Sequence, residues 1–151
     1  MFWMKLRSMP RAVLGAVAVE FAIVAPVLLI LVFGAAEIGY SAYQAMQVQD
    51  AVEAGALYVS KKGWSSSGIT TAVQSATDVT GLTASPAPAQ FCGCPGTTGV
   101  AAISCASTCT GGNSPGHYVQ INATVTRQSL IPNSGLPLPT TFTAQSIVRS
   151  N

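Results

Sequence analysis

The chain has 151 residues, of which 49% are apolar and only 8% charged, against roughly a quarter charged in an ordinary soluble domain. Its net charge is +2, yet Lys5, Arg7 and Arg11 all precede residue 16, and from Ala16 onward four basic residues face five acids for a balance of −1. That length allows about one domain beside an apolar segment, and the lack of a clustered positive surface excludes nucleic acid as a partner selected by charge.

Ala12 to Ala36 contains only Ala, Val, Leu, Ile, Phe, Gly and Pro apart from a single acid, Glu20. About 20 helical residues cross a hydrocarbon core of about 30 Å, so the stretch reads as a membrane span. Basic residues on its N-terminal side hold that flank in the cytoplasm and direct the rest outward. A carboxylate at the centre of a span costs about 2.5–3.5 kcal/mol on insertion scales, so Glu20 demands a reason. Pro26 removes one backbone donor and frees the carbonyl of Ala22, which predicts a helix kink there, either without further role or loosening the helix against its neighbours.

The helical pattern continues past Glu37. Ile38, Ala42, Ala45, Val48, Val52, Gly55 or Ala56, and Val59 recur every three or four residues, while Gln44, Gln47, Gln49, Asp50 and Glu53 occupy other positions. This predicts one amphipathic helix that leaves the bilayer, with Lys61 and Lys62 at its negative end and Gly63 closing it. Ala16 to Ser60 would measure about 67 Å at 1.5 Å per residue. An alanine-rich stripe suits close contact with other helices or cover for the chain's own C-terminal domain, and different faces can serve each.

Ile69, Ala72, Val73, Ala76 and Val79 predict a short helix, ended by Gly81 and the connector Ser85-Pro86-Ala87-Pro88. Phe91 to Gly116 is dense in Gly, Ser, Thr, Pro and Cys and reads as an irregular loop. Val119, Ile121, Ala123 and Val125 alternate with Tyr118, Gln120, Asn122, Thr124 and Thr126, the period of a half-buried strand. Thr140 to Arg149 gives a second strand with imperfect alternation, and the proline-rich Ile131 to Pro139 between them cannot be a central strand. The expected class is α+β: a long N-terminal transmembrane and amphipathic helix with a small C-terminal antiparallel β domain and a Cys-rich loop. Residues 1–15 form a basic leader, 16–62 the helix with its span ending near 36, and 63–151 an extracytoplasmic domain. No internal repeat is visible.

Cys92, Cys94, Cys105 and Cys109 fall on the side of the membrane that the charge bias places outside the cytoplasm, where disulfides form. Joining Cys92 to Cys94 across one residue is geometrically poor, which leaves two pairings, 92–105 with 94–109 or 92–109 with 94–105. Zinc fits less well, because a C-x-C and a C-x3-C lack the C-x2-C knuckles of structural sites. His117 is the sole histidine, and the acids beyond the helix reduce to Asp78, so no nucleophile with its base and no carboxylate pair can be assembled. The expectation is a protein that is not an enzyme and needs no cofactor or metal. Asn122-Ala123-Thr124 fits a glycosylation acceptor, but it lies in a strand pattern and reads as structural.

Arg11 to Tyr58 closely resembles the start of TadE-like minor pilins of the tight-adherence, Flp-type pilus system. The residues that carry this are Gly15-Ala16-Val17-Ala18-Val19-Glu20-Phe21, then Ala25-Pro26 with the following Leu, Ile and Val run, then Phe33-Gly34-Ala35-Ala36-Glu37-Ile38-Gly39. Tyr118 to Ile121 and Thr141 to Arg149 resemble the family more loosely, and the cysteines lie outside the resemblance. It implies a prepilin peptidase cut after Gly15 that makes Ala16 the new N-terminus and Glu20 its fifth residue. It further implies that Glu20 engages the N-terminal amine of an adjoining subunit, and the exchange of the usual glutamate-tyrosine pair for Glu20-Phe21 matches the TadE-like branch. The implied partners are the membrane, the peptidase, other pilin or pseudopilin subunits and the inner-membrane assembly platform. The implied location is the bacterial inner membrane, with the N-terminus cytoplasmic, the mature chain serving either as a low-abundance subunit of the extracellular pilus or as a priming subunit at its base.

The physics is compatible: cleavage creates an α-amine, largely protonated at neutral pH, as a mate for a carboxylate held in lipid. Ala16 and Glu20 are also four apart on one helix, so the pair can form within one chain. Two other readings are a secreted domain whose signal peptide ends at Ala36, which Glu20 disfavours, and an uncleaved membrane-anchored envelope protein.

Overall fold

In the computed structural model residues 11–132 and 135–150 are described, with side chains from Ala18 onward. Lys5 and Arg7 of the expected leader lie outside the described residues. Helix α1 runs Arg11–Lys62, α2 Ser66–Ser75, and four strands follow: β1 Ala89–Gly96, β2 Gly99–Ala102, β3 Gly116–Thr126 and β4 Thr141–Arg149. The chain divides into two units, one ending at Gly39 and the other beginning at Tyr40, so α1 contributes residues to both.

In the first unit the described residues form one helix, continuous through Pro26. It has no β-branched break or glycine stop strong enough to end it, and its apolar run never pauses for a capping residue.

The second unit is α+β, as expected. Its sheet is antiparallel throughout, in the order β2-β1-β3-β4, and β3 is its longest strand. Alternation on β3 places Val119, Ile121, Ala123 and Val125 fully inside, where they meet Val48, Ala51, Val52 and Val59 of α1 and Ile69 and Val73 of α2. On β4 the inward positions are Phe142, Ala144, Ser146 and Val148, while Ile147 points out. The irregular apolar order of that strand thus conceals a regular burial pattern. Beyond the reach of β1, β3 is instead hydrogen-bonded by the connector: Thr83 exchanges both backbone bonds with Thr124 at 2.9 Å, and Ser85 and Pro86 accept from Thr124 and Asn122.

Three expectations need correction. The predicted loop from Phe91 contains the β1–β2 hairpin, with Gly96 paired to Gly99 and Pro95 lying beyond the part of β1 that pairs with β3. Cys92 and Cys94 are therefore strand residues, and the irregular loop is confined to residues 103–115. The short helix begins earlier, where the Ser65 side chain accepts from the Gly68 N–H, and ends at Ser75, so Val79 reaches the core from the following turn. On α1 the buried residues are Glu37, Ser41, Gln44, Val48, Ala51, Val52, Gly55 and Val59, whereas Ile38 is exposed, as is Ala42.

Gln44 explains part of that rotation. Its side-chain amide donates to the Gln128 carbonyl at 2.8 Å, and its carbonyl accepts from the Gln128 N–H at 2.9 Å. A glutamine clamped on both sides is a tolerated core residue, because every polar atom it brings inside has a partner. Gly63 closes α1 as expected, with φ of 80° and its N–H on the Val59 carbonyl.

Gly55 marks the closest approach of α1 to its partners. A Cβ there would lie 2.9 Å from Val73 Cγ2 and 3.0 Å from Ile121 Cγ2, both on stiff branched side chains. Gly55→Leu is expected to destabilise the second unit by more than about 2 kcal/mol, read as a lowered denaturation midpoint of the full chain in detergent. Gly55→Ala should have a smaller effect, because helix propensity returns about 1 kcal/mol. Gln44→Leu leaves the Gln128 backbone pair without its buried partner. It should cost about 1–3 kcal/mol and accelerate hydrogen exchange at the Gln128 amide.

Candidate functional site

From Val19 to Phe33 the large apolar side chains of α1 have no cover in their own chain, whereas Glu37 further along the helix is buried. Every large apolar side chain from Val19 to Phe33 is more than half exposed, from 51% at Val24 to 71% at Ile30. A helix apolar on all sides belongs in lipid or among other helices, since water cannot solvate it and its own chain does not cover it. The segment is long and apolar enough to cross a membrane. Glu20 and Phe21 are both exposed on this helix, and Pro26 sits within it.

Gly15 and Ala16 fall in the backbone of α1, but their side chains lie outside the described residues. Ala16 and Glu20 are one turn apart, about 6 Å of rise, on the same side of the helix. An amine created at residue 16 would thus begin the helix that carries the carboxylate. That geometry serves a pair within one chain and, equally, a pair between neighbouring helices staggered by about a turn.

The four cysteines form two disulfides, Cys92–Cys105 and Cys94–Cys109, with Cα separations of 5.1 and 5.6 Å. Of the two pairings open in the sequence, this is the one in which both bridges run in parallel from β1 to the loop. Cys92 and Cys94 are two apart on a strand and so project to one face, and Cys105 and Cys109 come down on them in the same order. Cys92, Cys105 and His117 place their potential ligand atoms within 4.8 Å of one another. Both sulfurs are spent in the disulfide, and neither is the thiolate that a zinc site requires. The imidazole Nδ1 of His117 lies 3.6 Å from Cys92 Sγ, a polar contact rather than a catalytic pair.

Asn122 is buried, accepts from Gln120 Nε2 at 3.2 Å and donates to the Pro86 carbonyl at 3.3 Å. Its amide is engaged in holding the connector to β3, in line with the structural reading. Sequence reasoning missed the burial of Glu37 and Gln44 on α1, because amphipathic periodicity counts only apolar residues as inward.

The bridges close loops with sequence separations of 13 and 15 residues. Replacing Cys94 and Cys109 together by serine should lower stability by about 3 kcal/mol. Peptide mapping of the unreduced chain should return 92–105 and 94–109 peptides, with none joining Cys92 to Cys109.

Comparison with known families gives a match to the model described as TadE-like protein, over residues 15–57. No curated protein matches the chain, and no solved structure matches it. The matched residues start at Gly15, take in Glu20 and Phe21, and end within the buried stripe of α1, five residues before that helix closes. Over residues 15–57 the chain carries the TadE-like segment, consistent with a TadE-like protein of the Tad/Flp pilus system.

Proposed function

We propose that this chain is a minor pilin of the Flp-type pilus, processed after Gly15 by a prepilin peptidase and assembled through its N-terminal helix. The observation that carries the proposal is the family match, which opens on Gly15 itself and spans the apolar helix with its lone acid. In this reading the basic flank of Lys5, Arg7 and Arg11 stays in the cytoplasm, the span ends near Ala36, and the disulfide-bonded unit lies outside.

Glu20 supplies the selectivity. A buried carboxylate is expensive unless a cation approaches it, and the amine at Ala16 of an adjoining subunit is that cation. The exposed apolar surface from Val19 to Phe33 provides the packing area for neighbouring helices in the membrane and then in the fibre. Beyond the span, Tyr43, Met46 and Leu57 remain exposed on α1 and extend the surface available to partner subunits. The additional unit from Tyr40 on, with its own core, suits a minor component better than a bulk subunit that is little more than helix. The partners are the peptidase, other pilin or pseudopilin subunits and the assembly platform of the inner membrane.

N-terminal mass spectrometry of the mature protein should give a chain beginning at Ala16. A start at Glu37 would instead indicate a secreted protein, and a start at Met1 an uncleaved anchor. Gly15→Leu is expected to abolish processing. Glu20→Ala is expected to leave processing intact while sharply reducing recovery of the protein in sheared pili. Normal piliation by both variants would overturn the proposal.

A further inference from the structure

Tyr118 and Arg149 are register partners on β3 and β4, so their side chains leave the sheet on the same face at the same level. They form one side of a cleft of about 350 Å³. The opposite side is the turn from Cys109 to Asn113, and its polar groups come from Thr110, Asn113 and Ser114. This volume is at the small end of ligand sites and suits one ring-sized group.

Three features make the cleft more than a surface dent. The wall is fixed covalently by Cys94–Cys109 and internally by hydrogen bonds from the Cys109 N–H to the Asn113 carbonyl at 2.8 Å and from the Gly112 N–H to the Cys109 carbonyl at 2.9 Å. The floor is open because residue 116 is glycine: a Cβ there would meet Tyr118 Cε2 at 3.0 Å and Arg149 Nε at 3.3 Å. None of the chain's five acids lines the cleft, and no acid among the described residues forms an ion pair with the Arg149 guanidinium. The Arg149 guanidinium, which meets no carboxylate among the described residues, stands beside an aromatic ring held by stacking on Phe91 at 5.9 Å.

We propose that this cleft binds a single carboxylate-bearing sugar unit of the uronic acid class. Arg149 takes the carboxylate through the bidentate geometry of its guanidinium. The side chains of Thr110, Asn113 and Ser114 match ring hydroxyls, and Tyr118 offers an amphipathic edge to the ring. One guanidinium balances one negative charge, which favours a carboxylate over a doubly charged phosphate group. The proposal stands apart from the pilus reading, since it uses only residues of the second unit outside the TadE-like match.

The test is titration of the full chain in detergent with sodium glucuronate, glucose and inorganic phosphate, followed by proton–nitrogen correlation spectra. Glucuronate should shift the Gly116 and Arg149 signals saturably, and glucose should not. Arg149→Gln should weaken glucuronate binding about tenfold or more, the weight of a charge-assisted hydrogen bond, while leaving the remaining spectrum in place. Gly116→Ala should weaken it by filling the floor with Arg149 intact. No saturable shift with millimolar glucuronate, equal binding of glucose or phosphate, or unchanged affinity in Arg149→Gln would each overturn the proposal.

Discussion

A helix that is apolar on every side has no low-energy state in water, and this constraint governs the chain. From Val19 to Phe33 the side chains find no cover within their own molecule. Their burial must come from lipid or from other helices, so the energetics of the first unit are those of insertion and association rather than of folding. In the proposed assembly Glu20 is the exception that gives this surface a register. Against uniform apolar neighbours a helix can slide at little cost, whereas a carboxylate that must meet a cation fixes one position along the axis.

The same helix changes solvent as it passes from one unit to the other. From Tyr40 it contributes to an ordinary aqueous core, and its inward residues shrink to Ala51 and Gly55 where α2 and β3 press closest. Small residues there are the consequence of contact with a sheet and a second helix of the same chain. The alanine-rich stripe is therefore largely accounted for within the second unit, and the face of the helix left exposed carries Tyr43, Met46 and Leu57.

The sequence was most legible where one chemical signal dominated. The apolar run, the Gly63 stop and the alternation of β3 each correspond to a single strong regularity, and each stands in the structure as read. Legibility failed where two demands met in one residue. Phe91 to Ala102 holds glycine, proline and cysteine, which signal loop individually, yet β1 forms because β3 supplies a template and the disulfides hold it there. Gln44 is polar by composition and buried by partnership, and no periodicity rule foresees a side chain whose partner is 84 residues away. Gly15 and Ala16, proposed as the cleavage site, and Glu20, proposed for assembly, stand out through family resemblance and because a lone acid in a span is conspicuous, and the TadE-like match covers all three. The cleft at Arg149 was not, since its residues come from β1, β3, β4 and a loop that only the fold brings together.

The parallel disulfides have one more consequence. Both begin on β1 and end four residues apart in a segment whose exposed residues contribute nothing to the hydrophobic core. The loop's position is set by two covalent clasps, so its intervening side chains are released from any duty to fold. Between the clasps, and in the stretch leading on to β3, substitution can reshape the outward surface while the scaffold stays intact. Substitutions on this patch therefore cost the domain beneath less than substitutions in its core.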